Sequence, residues 1–211
     1  MDELPQSRGE EIANSISHGL GALAVLTGAP FLIIAASKTG SPWTIVGASV
    51  FLFAMFVLYT SSTLLHGLSF TSVKKVFRVL DHGAIFLLIA GTYTPFTLGA
   101  LRGPWGWALF GVIWGLAILG ITLKATDMLW HRKWSNFIYL VMSWLIVIAV
   151  WPMWKYESHA VLAWLLGGGI AYSGGVYFYS VQQKRFSHLL WHLLVLAGSA
   201  CHYFAVLWAV R

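Results

Sequence analysis

Seven long apolar stretches, separated by short polar links, take up nearly all of this chain; they cover residues of about 12–37, 43–66, 81–100, 105–123, 134–154, 160–181 and 188–210. Each is about 19 residues or more, enough for a helix to cross a hydrocarbon core roughly 30 Å thick. Strands of a membrane barrel would instead show alternating segments of about ten residues. The pattern predicts an all-α integral membrane protein, one domain over residues 1–211 folded as a seven-helix transmembrane bundle. Pro42 suits the first turn of the second helix, and Pro95 should kink the third. Arg102-Gly103-Pro104 reads as a tight turn. The glycines of the sixth run, Gly167-Gly168-Gly169 and Gly174-Gly175, allow close helix contact; they follow no strand and carry no phosphate-loop signature.

Composition agrees with this class. Charged residues make up 9% of the chain and hydrophobic ones 58%, against about 25% charged in a soluble domain. The net charge of +6 is no nucleic-acid signal, because no basic segment is dense enough and the cations sit in the links. Arg8, Lys74, Lys75, Arg78, Lys124, Arg132, Lys133, Lys184 and Arg185 fall on the N-terminal side of the membrane, while Lys38, Arg102, Lys155 and Arg211 fall on the other. That asymmetry predicts a cytoplasmic N-terminus and an outside C-terminus, in a multi-pass protein of the cell inner (plasma) membrane. The mixed charge of the N-terminus argues against a cleavable signal peptide. A single cysteine, Cys201, excludes an intramolecular disulfide and any multi-thiolate metal site. Trp43, Trp105, Trp107, Trp130, Trp134 and Trp154 stand near run ends and read as interface anchors.

Ionisable residues inside such runs are costly and are functional candidates by default. His188 and His192 are four apart, on one face of the seventh helix. Helix two ends with Ser62 and His66, helix three opens at Asp81-His82, and helix one begins with Glu11, Asn14 and His18. With alternating helix directions, all of these fall at one end of the bundle, the cytoplasmic one. His66, His188 and His192 make a ligand set suited to zinc with one position left open, the pattern of catalytic rather than structural sites. Asp81 is the aspartate placed to accept a proton from water at that site. Ser62 orients an imidazole or hydrogen-bonds the water, and Glu11, Asn14 and His18 form a polar shell.

The plainer readings stand beside these. His18 serves either that shell or a simple helix–helix hydrogen bond. His82 is an alternative ligand, although it points about 100° away from Asp81. His131 and His159 are expected in solvated loops. His202, ten residues beyond His192, sits about 15 Å deeper and is expected to make a buried packing hydrogen bond. No lysine lies in the seventh run to form a Schiff base, which excludes a retinal-binding bundle.

Glu11-x-x-Asn14-x-x-x-His18, Ser62-x-x-x-His66, the Asp81-His82-Gly83 opening that leads to Thr92-Tyr93-Thr94-Pro95, and His188-x-x-x-His192 followed by His202-Tyr203 resemble the hemolysin III proteins. These are the bacterial branch of the progestin and adiponectin receptor family, related to the alkaline ceramidases. The resemblance covers essentially the whole chain. It implies seven helices, a cytoplasmic N-terminus and an intramembrane zinc held by His66, His188 and His192, with Asp81 beside the zinc-bound water and Ser62 in support. The function it implies is zinc-dependent hydrolysis of a lipid amide or ester bond, with a membrane lipid as substrate. The alternatives are a non-enzymatic sensor, receptor or membrane-energetics protein with a structural zinc, and a pore-forming haemolysin.

Overall fold

The computed structural model describes residues 6–68, 71–126, 128, 131–181 and 184–211, without the side chains of residues 71, 72 and 132. Its elements are α1 (Arg8–Lys38), α2 (Pro42–Gly67), α3 (Thr71–Leu98), α4 (Pro104–Ala125), α5 (Arg132–Trp144), a 3-10 turn (Leu145–Ala149), α6 (Val150–Tyr156), α7 (His159–Ser180) and α8 (Ser187–Ala209). Seven helical spans are long and apolar enough to cross a membrane, the fifth comprising α5, the 3-10 turn and α6. Among the described residues there are no strands, as expected where every backbone group must be satisfied inside its own segment.

Sequential neighbours pack together: α1 on α2, α2 on α3, α3 on α4, α7 on α8, with α1 returning to α8. The α7–α8 seam is close because of its glycines. A Cβ at Gly168 would collide with the His202 ring, and one at Gly198 with Tyr172. Exposed Trp105, Trp107, Trp134 and Trp154 lie at span ends as expected of interface anchors; Trp130 lies outside the described residues.

Three boundaries differ from expectation. The helix ladder of α3 starts ten residues before Asp81. The basic link with Lys74, Lys75 and Arg78 is therefore the first turns of α3, not a loop. Hydropathy marks where a helix enters lipid, while lysine and arginine are good helix formers beyond that point. The expected 155–159 loop is likewise short, because α6 runs to Tyr156 and α7 starts at His159. Its imidazole packs edge-on against Trp154, with ring centroids 4.8 Å apart.

The third difference lies in the fifth span, which is broken at Leu145–Ala149. Pro152 lacks the N–H that would bond to Ile148, and its ring clashes with that carbonyl. Tyr93 of α3 compensates. Its hydroxyl accepts from Ile146 N (2.8 Å) and lies 2.8 Å from Met142 O and 3.0 Å from Ser143 O, to which it donates. A side chain from α3 thus satisfies backbone groups released by the break, as lipid-embedded irregular backbone requires. Pro95 does not end α3, which continues to Leu98.

Candidate metal centre

The helix-one stripe begins with a capping box. Ser7 Oγ accepts from Glu10 N, and Glu10 Oε2 accepts from Ser7 N (3.0 Å), which fixes the first turn of α1. Glu10 also reaches α8, because its Oε1 accepts from Phe186 N at 2.8 Å. Phe186 has φ 59°, a left-handed conformation unfavourable for a bulky residue. The Glu10 contact holds the chain in that turn just before the helix carrying His188 and His192.

His66, His188 and His192 each offer a ring nitrogen, and these atoms lie within 4.8 Å of one another. Ring centroids are 5.0 Å apart for His66–His188, 5.1 Å for His66–His192 and 4.6 Å for His188–His192. His66 Nδ1 donates to Glu11 Oε2 at 2.7 Å. A carboxylate only accepts, so the proton is on Nδ1 and the lone pair on Nε2. That Nε2 is buried and has no hydrogen-bond partner among the described residues. Glu11 Oε1 in turn accepts from Lys74 Nζ at 2.6 Å.

His192 is oriented in the same manner from α1. Its Nδ1 lies 3.2 Å from Ser17 Oγ and 3.3 Å from Asn14 O. Ser17 spends its own proton on Asn14 O (2.8 Å), so Nδ1 is the donor and Nε2 is left as the ligand atom. The residues fit a zinc ion: three imidazoles, two with the outer nitrogen tied back, and a buried orphaned nitrogen where a ligand is wanted.

The other expected site residues are placed as follows. Asp81 is buried on α3 at 8% exposure. Ser62 is fully buried, and among the described residues its Oγ has no hydrogen-bond partner, so it orients no imidazole through a hydrogen bond there. Asn14 contributes its backbone oxygen to His192, while its side chain donates to Gln6 Oε1 at 2.6 Å. His18 stacks on His192 at 3.6 Å between centroids and 6° between planes, with Tyr59 edge-on at 5.1 Å. Among the described residues it forms no hydrogen bond through either nitrogen, so of its two expected roles the helix–helix hydrogen bond gives way to stacking. His82 Nε2 lies 3.5 Å from the Tyr179 hydroxyl. His202 is a packing residue, and its bond goes to Gly198 O of its own helix at 2.8 Å. His131 is exposed.

Two participants were not singled out from the sequence. Ser17 lies three residues from Asn14, on the same buried face, and that spacing was a usable signal. Lys74 gave no signal once its segment was read as a loop.

A family profile described as "Haemolysin-III related" matches residues 6–203. The chain belongs to that family. It is 46% identical to "Hemolysin-3" of Bacillus cereus over 210 residues, covering 100% of this chain and 96% of the relative. It is also 46% identical to "Hemolysin-3 homolog" of Bacillus subtilis (strain 168) over 198 residues, 94% of this chain and 93% of the relative. The human "Monocyte to macrophage differentiation factor" is 27% identical over 205 residues, covering 93% and 83%. No solved structure matches the chain. The haemolysin-III relationship agrees with a multi-pass membrane protein, and the resemblance read from the ordered motifs is thereby borne out.

Proposed function

We propose that this chain is a membrane-embedded hydrolase that cleaves an amide or ester bond of a lipid entering from the bilayer, with zinc as cofactor. The observation that carries the reading is the convergence of three imidazole ligand atoms within 4.8 Å inside helices long and apolar enough to cross a membrane. In a three-histidine set zinc polarises a carbonyl and brings the pKa of water down to about 7. Glu11 keeps the His66 lone pair aimed inward, and Asn14 O with Ser17 does the same for His192. Asp81 accepts the proton of the attacking water, and Ser62, buried without a partner, donates a hydrogen bond to the reacting oxygen. The basic asymmetry of the links supports a cytoplasmic position for this end, with the N-terminus inside and the C-terminus outside.

The test is Asp81→Asn. The amide keeps the shape but cannot act as a base, so hydrolysis falls by about 10²–10⁴-fold while the three histidines retain zinc. Wild type and variant are matched for zinc and assayed for fatty-acid release from a panel of lipid amides and esters. A well-folded, zinc-loaded wild type that turns over none of them sinks the enzyme reading.

A second reading, a non-enzymatic membrane protein with a structural zinc, is favoured by how closed the site is. His192 is 1% exposed and covered by His18.

A further inference from the structure

Helix α1 packs mainly against α2 and α8, and its seam with α8 opens partway along. Gly21, Ala24 and Gly28 of α1 face Leu196 and Ala200 of α8 across a groove of about 160 Å³, with Tyr59 of α2 among its walls. Small residues leave the space. Farther along, the same seam widens to about 800 Å³ between Phe31 and Ile34 on α1 and Leu207 on α8. Tyr203 and Phe204 line both parts, which adjoin at these two residues. The Tyr203 hydroxyl donates to Gly28 O at 2.8 Å and ties the two helices together at the junction.

The wide end carries two cations, Lys38 and Arg211. Both are exposed, and the Arg211 guanidinium lies 5.5 Å from the Trp208 ring centroid. This end is opposite the one carrying Glu11, His66, His188 and His192. From Lys38 to Gly28 is ten residues, about 15 Å of helix, which matches one leaflet of a hydrocarbon core roughly 30 Å thick. The narrow part beyond Gly28 takes the end of a longer tail. At its far wall stands the Tyr59 hydroxyl, buried and without a hydrogen-bond partner among the described residues.

We propose that the α1–α8 groove binds one phospholipid with an anionic headgroup, its phosphate held between Lys38 and Arg211 and an acyl chain laid along the small-residue stripe toward Tyr59. Any lipid tail fits an apolar groove facing the bilayer. The two side-chain cations outweigh the one carboxylate at the mouth, the α-carboxylate of Arg211, and the net positive charge favours net negative charge over a zwitterion. The site is separate from the histidine cluster and stands whether or not the cluster is catalytic.

The experiment reconstitutes the full chain in bilayers of equal phosphatidylglycerol and phosphatidylcholine. Retained lipid is counted by native mass spectrometry, and melting temperature is followed in parallel. Wild type retains one phosphatidylglycerol in preference to phosphatidylcholine. The net positive charge of the mouth contributes about fivefold to that preference. Lys38→Gln alone, at an exposed position, lowers it, and Lys38→Gln with Arg211→Gln abolishes it. Ala200→Phe, which fills the groove at another exposed position, loses the lipid with both cations intact. Inorganic phosphate does not displace it. Equal retention of both lipids by wild type, an unchanged preference in the double variant, or displacement by inorganic phosphate overturns the proposal.

Discussion

Glu11 connects helix α1 to a ligand it does not itself provide, and Glu11→Gln tests that connection. One carboxylate oxygen accepts from His66 Nδ1 at 2.7 Å and the other from Lys74 Nζ at 2.6 Å. Both partners are donors. A glutamine keeps the shape but offers one acceptor and one NH₂, so whichever way it turns, one partner faces a donor. Losing the partner that orients a ligating histidine typically costs about 10–100-fold in metal affinity, or about 1.4–2.7 kcal/mol. Glu11→Ala goes further, leaving the His66 Nδ1–H without an acceptor at a site where its side chain is 6% exposed. Lys74→Gln leaves the carboxylate–imidazole pair intact. The Lys74–Glu11 bridge is partly exposed (26% and 24%), so solvent screening keeps its effect small. Zinc affinity should therefore fall in the order wild type, Lys74→Gln, Glu11→Gln, Glu11→Ala. Competition against a chromogenic chelator in detergent solution measures it, with helicity checked for each variant. Wild-type affinity in Glu11→Ala would refute the idea that this carboxylate holds His66 in its ligating tautomer.

Three further outcomes are expected. His188→Ala and His192→Ala should each lose zinc from elemental analysis and melt at lower temperature, since the remaining imidazoles are left poorly satisfied; unchanged zinc in both would dismiss helix α8 as the main grip. Tyr93→Phe should destabilise the bundle by about 1–3 kcal/mol, the cost of leaving the Ile146 N–H unpaired in an apolar interior; an unfolding titration matching wild type would show that the break in the fifth span is satisfied some other way. Reporter fusions after Lys75, Lys133 and Arg185 should read cytoplasmic, and those after Arg102 or at Arg211 external, with an external signal at Lys75 reversing the assigned orientation.

The seven spans and the residues that meet at one end were legible in the chain itself. Lipid allows few backbone solutions, so a run of some twenty apolar residues means a crossing helix. Short links make successive helices antiparallel, and that alone carries His18, His66, His188 and His192 to the same end of the bundle. Where a helix ends in the interface was not legible. Charge marks the end of lipid immersion and not of the hydrogen-bond ladder, so the first turns of α3, with Lys74 on them, passed for a loop. Nor could spacing say which way an imidazole faces. That choice belongs to contacts between helices: Glu11 against His66, Asn14 O and Ser17 against His192, and the flat stacking of His18 that a polar-shell reading did not foresee. The break in the fifth span follows from Pro152, but its repair by Tyr93 depends on α3 lying beside it. Chain composition and periodicity decide which segments enter the membrane and how deep each residue sits. Rotation about each helix axis, and with it every tautomer and ligand atom of the site, is decided by packing against neighbours distant in the sequence.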